Sequence, residues 1–169
     1  MSLSMYELSV PRFKHIMLTL QEILKKAETF SETKQLADDV LPSCRLIADM
    51  YPLAKQIQIV SDQTKGCVAR LAGEKPPSFE DNEKTLSELI DRLQRTITFI
   101  ESISADRIDG SEGKEIVLEL PSMTLKFNGQ KYLLDFVVPN VYFHFSTAYN
   151  ILRKNGMELS KRDFIGNIF

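Results

Sequence analysis

The sequence has few of the residues from which catalytic and metal sites are most often built. Its 169 residues include only two cysteines and two histidines. Cys44 and Cys67 are far apart and in no metal-binding spacing, which favours two small buried side chains in a reducing cytosol. The seven glycines are scattered, so there is no phosphate-binding loop, and neither an H-E-x-x-H motif nor a nucleophile elbow occurs. These absences argue against phosphate-binding, zinc-protease and serine-hydrolase chemistry.

An excess of positive charge and a long apolar run are also missing. The 21 basic and 23 acidic residues give a net charge of −2, without the basic excess that nucleic acid or an anionic membrane attracts. The most apolar stretch, residues 132–152, is interrupted by Asp135, Pro139 and His144, so no spanning helix is expected. No signal peptide is evident at the N-terminus. The sequence therefore predicts a cytoplasmic protein without nucleic-acid or membrane partners.

Apolar residues recur at helical spacing in four long stretches, and a chain of this length is expected to form one domain over residues 1–169. The predicted helices run from Met5 to Thr29, from near Asp49 to Leu71, from Ser78 to Ile100 and from Gln130 to Asn155. Asp49 and Ser78 are the candidate N-caps of the second and third helices, with Glu80 and Asp81 as first-turn charges. Pro139 is expected to kink or split the fourth helix.

Between the third and fourth helices the apolar period changes from 3.6 to 2, as in a β-hairpin. The alternating residues are Ile116, Leu118 and Leu120, then Met123, Leu125 and Phe127, on either side of a predicted turn at Pro121-Ser122. A lone hairpin is marginal, so its apolar face must pack on the helices. We therefore predict a mainly α fold, a four-helix bundle with a small β-hairpin between the third and fourth helices. The spatial order of the helices stays open.

One histidine lies within the apolar stripe of the predicted fourth helix. His144 follows Val137 and Val141 and precedes Ala148 and Ile151 at steps of three and four, which places all five on one face. Three interpretations are open. The ring is a neutral core group hydrogen-bonded to a neighbouring helix, a polar group lining a pocket, or a metal ligand.

The pocket interpretation names specific neighbours for His144. Asn140 lies one turn earlier, and Gln56 or Gln63 lies across from it on the second helix. His15 falls on the outer face of the first helix and is interpreted as a solvated surface histidine. Cys67 is interpreted as a packed thiol, because no histidine or basic partner can be assigned beside it.

Several motifs carry a resemblance to a known family. They are residues 1–11, Asp49-Met-Tyr-Pro-Leu-Ala-Lys-Gln-Ile-Gln58, Lys65-Gly-Cys-Val-Ala-Arg-Leu-Ala-Gly73, Phe79-Glu-Asp81 and Lys161-Arg-Asp-Phe-Ile-Gly166. They resemble a domain of unknown function from bacteria and fungi, which looks like a branch of the DinB-like superfamily of metalloenzyme relatives. The resemblance covers nearly the whole chain. It implies a DinB-like four-helix bundle, often a homodimer, with thiol-dependent transferases and isomerases among its wider relatives.

The resemblance also implies a metal site that this chain does not reproduce. The superfamily uses three histidines, one on the second helix and two on the last in an H-x-x-x-H spacing. His144 matches the first of that pair, but Ala148 stands at the second position and the second helix has no histidine. No metal cofactor is therefore predicted, and His144 is the one candidate ligand for a divalent metal.

No catalytic site can be assigned from the sequence. We expect a helical-bundle protein of unknown role that acts by binding a small ligand or another protein, and that forms a homodimer. The alternative is a DinB-like metal-assisted or thiol-dependent transferase or isomerase that uses a pocket around His144. The apolar tail is expected to dock on the body or on a second subunit. Its large residues are Phe164, Ile165, Ile168 and Phe169.

Overall fold

A computed structural model of the protein describes residues 3–120 and 122–167. It confirms the predicted mainly helical fold with a late two-stranded hairpin. The elements are α1 (Met5–Lys34), α2 (Val40–Ser43), α3 (Leu53–Ala72), α4 (Leu86–Glu101), α5 (Ala105–Ile108), β1 (Glu115–Leu120), β2 (Met123–Asn128), α6 (Gly129–Lys131), a π-helical segment (Tyr132–Val137), α7 (Val138–Lys154) and α8 (Lys161–Ile165).

The four long helices, α1, α3, α4 and α7, run up, down, down and up. Helices α3 and α7 are antiparallel, since Gln56 near the start of α3 meets His144 and Arg70 near its end meets Tyr132. By contrast, α3 and α4 are parallel, because Arg107, just after α4, reaches the carbonyl of Ala72 at the end of α3.

Helix α1 is antiparallel to α4. The amide of Gln21 donates to the Ile90 carbonyl, while Lys14, two turns nearer the start of α1, pairs with Glu101 at the end of α4. The most extensive helix contacts are therefore α1 with α4 and α3 with α7, rather than between α1 and α3.

The parallel pair requires the chain to return along the length of α3. Residues 73–85, which we name the connector, make this return. Gly73 begins it in the left-handed region with φ of 80°, closing α3 in the way glycine readily allows. Along the connector, Phe79 then meets Lys65, Asp81 meets Lys55 and Glu83 meets Gln58 of α3, before α4 starts.

Two predicted helix starts are wrong, and for local reasons. Helix α3 begins at Leu53 with Pro52 at its N-cap, so Asp49 does not cap it. Helix α4 begins at Leu86, because Thr85 and Glu88 form a capping box in which each side chain accepts from the other's backbone N–H. Ser78 therefore lies in the connector and caps nothing.

Helix α1 is longer than predicted. It ends at Lys34 rather than Thr29, with Gln35 in the left-handed region as its C-cap. Pro11 is accommodated inside it, although a proline there removes one backbone hydrogen bond.

The hairpin forms in the predicted alternation, with Ile116 paired to Phe127 and Leu118 to Leu125. Ile116 and Leu118 are buried against the helices, whereas Leu120 and Met123 at the tip are exposed. The predicted turn falls partly on Pro121, which lies outside the described residues. Gly129 follows directly, and a Cβ there would come within 1.9 Å of the Ser111 carbonyl oxygen, so the close approach requires glycine.

The predicted fourth helix is split, as Pro139 led us to expect. A wide π-helical segment precedes α7, and the backbone N–H of Val138 donates to the Leu133 carbonyl five residues back. This widening accommodates the proline, which has no N–H to offer the preceding turn. The side-chain amide of Asn140 donates to the Phe136 carbonyl at 2.7 Å and so satisfies a backbone acceptor at the junction.

One contiguous apolar core joins the helices and the hairpin. Phe164 of α8 packs on it, stacked on Phe145 with ring centroids 4.4 Å apart, so this part of the tail docks on the body. Ile168 and Phe169 lie outside the described residues. Among the helices that the structure describes, none has the length and apolar composition to cross a membrane.

Candidate functional site

The His144 side chain is half-buried on α7 and is held by one hydrogen bond. Its Nδ1 lies 2.6 Å from Oε1 of Gln56 on α3, while the Gln56 amide nitrogen donates to the Tyr51 carbonyl at 2.9 Å. Because the Gln56 oxygen can only accept, the ring proton is on Nδ1 and Nε2 keeps its lone pair. Burial lowers the pKa of His144. The imidazole is therefore neutral, with one nitrogen oriented and the other available.

The other two predicted neighbours are not joined to His144. The Asn140 amide nitrogen is used by the helix backbone, and Gln63 is half-buried and makes no hydrogen bond to the ring. Phe143 packs edge-on to the imidazole with centroids 5.1 Å apart, and it is 56% exposed. The structure thus brings together His144 and Gln56 at the bundle surface, beside an exposed aromatic ring.

The donors around His144 do not fit the superfamily's metal site. Ala148, at the position of the second histidine, is fully buried and offers no ligand atom. In the described part of the chain, no three histidine, cysteine or carboxylate side chains come together as a metal site would require.

Two further residues that were interpreted from the sequence, His15 and Cys67, lie elsewhere in the bundle. His15 lies at the surface but is half-buried, and its Nε2 lies 2.7 Å from the Ile165 carbonyl oxygen, so the predicted surface histidine is only partly solvated. Cys67 is fully buried, and desolvation raises the pKa of its thiol well above the usual range, although Arg70 nearby opposes the shift. A thiol that stays protonated is a poor nucleophile.

The most elaborate polar arrangement of the described residues surrounds Arg92 on α4, whose side chain is fully buried. One guanidinium nitrogen donates to Glu83 at 2.9 Å and to the Glu80 carbonyl at 2.9 Å, and the other meets Asp62 at 2.8 Å and Asp81 at 3.0 Å. We name Arg92, Glu83, Asp62 and Asp81 the Arg92 cluster. Burial disfavours its cation, but the adjacent carboxylates outweigh burial and raise the pKa of Arg92.

The Arg92 cluster joins α3 to α4 and corrects one interpretation made from the sequence. Asp62 of α3 accepts from Arg92 of α4 and from Lys65 of α3. Asp81 is not a first-turn helix charge, because it lies in the connector and pairs with Lys55 at 2.6 Å. The cluster thus fastens the connector to both parallel helices.

Phe79 lies at the centre of the connector and is surrounded by cations. The ring centroid is 4.9 Å from Lys65 Nζ, 5.7 Å from Arg92 Cζ and 4.8 Å from Arg95 Cζ. Each contact places positive charge against the ring, where the aromatic quadrupole is attractive. This arrangement fixes both the ring and the three long side chains.

A groove of about 790 Å³ opens between α4 and the fastened connector, and we name it the α4 groove. Its walls combine aromatic, charged and amide side chains. They are Pro77, Phe79, Asn82 and Glu83 of the connector and Glu88, Asp91, Gln94, Arg95, Thr98, Phe99 and Ser102 of α4 and its end. Sequence reasoning missed this groove, and its one local signal was the Thr85–Glu88 capping box, which places residues 77–83 outside the helix.

A second groove of about 1100 Å³ lies between α1 and α8. Its walls include His15, Thr19 and Lys26 of α1, and Asp163 of α8, which pairs with Lys26. Neither this groove nor the α4 groove is lined by His144.

Comparisons with known proteins agree with this architecture. A family model described as Domain of unknown function (DUF1993) matches residues 5–165. The chain is also similar to the crystal structure of a DinB family member protein from Shewanella denitrificans, with 37% sequence identity and a TM-score of 0.86. That similarity covers 96% of this chain and 92% of the other. No curated protein matches the chain.

Proposed function

This chain belongs to the family described as Domain of unknown function (DUF1993), and from that premise we propose that it binds a small organic molecule in the α4 groove. The observation that carries the proposal is a groove of ligand size with fixed walls. Pockets for small molecules are typically about 300–1,000 Å³ and combine apolar surface with a few placed polar groups. The α4 groove, at about 790 Å³, meets both criteria.

The fixed walls are what distinguish this groove from an ordinary surface depression. The connector has little regular structure, yet Arg92 binds it through the Glu83 side chain and the Glu80 carbonyl. The groove-lining Phe79 and Arg95 are held against each other at 4.8 Å. A ligand would therefore meet side chains that are already ordered, which lowers the entropic cost of binding.

A screen of small organic fragments against the ¹⁵N-labelled protein tests this proposal. We expect fragments to shift the amide resonances of residues 77–83 and 88–102 preferentially. The variant Thr98→Trp places an indole in the groove and should abolish these shifts. Thr33→Trp is the matched control, because both threonines are exposed and both donate to the carbonyl four residues back. Fragment shifts scattered over the surface, or unchanged in Thr98→Trp, would contradict the proposal.

We also propose that the chain forms one domain over residues 1–169, assembles as a homodimer in the cytoplasm, and works without a resident metal, nucleic acid or membrane. Exposed apolar side chains on α7 and in the segment before α3, such as Phe143 and Tyr51, support association. The balanced charge supports the absence of nucleic acid. A monodisperse monomer in light scattering, salt-sensitive retention on DNA, or about one equivalent of metal per chain would overturn the corresponding part.

A second candidate function is a thiol-dependent transferase or isomerase that uses His144 as a general base. It is favoured by the neutral imidazole, whose Nδ1–H is oriented by Gln56 and whose Nε2 has no hydrogen-bond partner among the described residues. In such a reaction Nε2 would take the thiol proton while the sulfur displaces a leaving group on an electrophile.

Transfer of glutathione to 1-chloro-2,4-dinitrobenzene, with release of chloride, is a direct test of that second function. His144→Ala should abolish the catalysed rate while the thermal midpoint changes little. A wild-type rate equal to the uncatalysed rate, or a rate that survives in His144→Ala, would remove His144 as a base for this reaction.

A further inference from the structure

The α4 groove is not uniform along its length. Glu88 and Asp91 lie in the first two turns of α4, whereas Phe99 lies near its end, about 16 Å beyond Glu88 and about 12 Å beyond Asp91 along the helix axis at 1.5 Å per residue. Pro77 lies at the same end as Phe99, because the connector runs from the end of α3 back towards the start of α4. The groove therefore has an acidic end and an apolar end.

The charges that line the groove are unequal in number and in availability. Three carboxylates and one guanidinium face it. The guanidinium of Arg95 is already engaged by Glu83 at 3.6 Å and by the Phe79 ring. An incoming anion would have to compete with both contacts, so the groove offers no ready site for negative charge.

The carboxylates differ in a way that singles out one of them. Glu83 accepts from Arg92 and Gln58, and Glu88 accepts the backbone N–H groups of Lys84 and Thr85. Those backbone bonds lower the pKa of Glu88, so it stays ionised. Asp91 makes no hydrogen bond or ion pair with any residue in the described part of the chain. It is the carboxylate whose charge remains available to a ligand.

From this arrangement we propose that the ligand of the α4 groove is an organic cation, an amine or quaternary ammonium compound with an apolar body. The cationic head lies beside Asp91 and Glu88, and the apolar body lies along Phe99 and Pro77. The inference rests on the proposed function, because it names the class of ligand for the same groove. Carboxylates attract the charged head directly, and the Phe99 ring packs against the apolar body.

Three probes that share a phenylethyl body and differ in their head group test this class. They are 2-phenylethylammonium, 2-phenylethanol and 3-phenylpropanoate, each titrated into the ¹⁵N-labelled full chain. We expect all shifts to map to the groove, with the ammonium binding several-fold more tightly than the alcohol and the carboxylate binding most weakly. Raising the salt from 20 to 500 mM should weaken the ammonium selectively, because screening acts on exposed charge pairs.

Asp91→Asn should weaken the ammonium by about three- to fivefold, as expected for one exposed charge pair, and leave the alcohol unchanged. Asp38→Asn is the matched control, since Asp38 is an exposed aspartate outside the groove that also makes no hydrogen bond or ion pair with the residues that the structure describes. If the three probes bind the groove equally, the ligand class is wrong while the groove remains a binding site. If none shifts the groove and the fragment screen also finds nothing there, both proposals are overturned.

Discussion

The Arg92 cluster and the His144 site are both polar groups set into the same apolar bundle, but they differ in the number of their partners. Arg92 is fully buried and meets three carboxylates and a backbone carbonyl, and among its nitrogens in the described structure only the buried Nε has no hydrogen-bond partner. His144 is half-buried and has one side-chain partner, Gln56. The first arrangement leaves little for a ligand to bind directly, whereas the second leaves a ring nitrogen available.

This difference shows how stability and binding are distributed in the fold. A buried charge is tolerated only when its partners are in place, so removing one partner is costly. A half-buried neutral imidazole can lose its partner to water at modest cost. We therefore expect the Arg92 cluster to act as a structural support for the α4 groove and His144 to matter little for stability.

The largest effect is expected from Arg92→Ala. The change leaves the buried Glu83 without its closest cation, with only the exposed Arg95 remaining at 3.6 Å, and breaking a buried ion pair typically costs about 3–5 kcal/mol. The free energy of unfolding, measured by urea titration, should fall by that amount. Arg95→Ala removes a cation that is 56% exposed and should cost about 1 kcal/mol or less. Equal losses in the two variants would contradict the prediction that the buried Arg92 stabilises the fold much more than the exposed Arg95.

Glu83→Gln is expected to have the next largest effect. The amide keeps the shape but loses the charge opposite Arg92, and charge-assisted hydrogen bonds are worth about 1.5–3 kcal/mol. In a double-mutant cycle with Arg92→Ala, the two losses should be strongly non-additive. Additive losses would mean that Glu83 and Arg92 do not act as one unit.

His144→Ala should lower the free energy of unfolding by only about 1 kcal/mol, the typical net value of one hydrogen bond. Gln56→Ala, on the other side of the same bond, should give a similar loss. A loss above about 3 kcal/mol in His144→Ala would make this histidine as structural as Arg92, and the comparison between the two regions would fail.

The pH dependence of His144 is predicted to be smaller still. Burial lowers its pKa in the folded state below the unfolded value of about 6.5. The unfolded chain then binds more protons in the interval between the two values, so stability rises with pH there. The contribution of the neutral His144 to the free energy of unfolding is fully present above about pH 6.5, and it is lost as the pH falls towards the folded pKa. The slope of unfolding free energy across this interval should decrease in His144→Ala but not in Arg95→Ala.

The Arg92 cluster is predicted to respond to pH through Asp81, in a more acidic interval than His144. Burial opposes the shift, but hydrogen bonds and charges from Lys55 and Arg92 lower the pKa of its carboxyl. The stabilisation it provides is present above the unfolded value of about 3.9 and is lost as pH falls through the lower folded value. Asp81→Asn should flatten the unfolding profile below pH 4 and leave it unchanged between pH 5 and 7. A change confined to the higher interval would contradict this assignment.

Features of the fold could be predicted from the sequence where they depend on residues close together in the chain. The stripe of Val137, Val141, Ala148 and Ile151 is buried as its spacing indicated, and the hairpin forms in the predicted alternation. The contact between His144 and Gln56 was also among the pairings considered. Each of these follows from repeating positions on one element, or on two elements that pack along their length.

The start of α4 carries a local signal of the same kind, but it is not the only candidate. Thr85-Leu86-Ser87-Glu88 has the spacing of a capping box, and its two reciprocal hydrogen bonds fix the helix start. Ser78 offered a similar pattern seven residues earlier. Sequence alone did not decide between them, because the choice depends on the connector bonds that Glu83 and Asp81 make to Arg92 and Lys55.

The sequence by itself determined the four long helical stretches, the hairpin and the core faces, since apolar periodicity acts over a few residues. Only the tertiary structure decided that α3 and α4 are parallel, that the connector returns beside them, and that Arg92 is buried among three carboxylates. Charged residues at these positions are ordinarily solvated, and nothing local marks them otherwise. Burial of Arg92 becomes favourable only when carboxylates far apart in the sequence come together around it. The same contacts hold the connector beside α4 and so form the α4 groove.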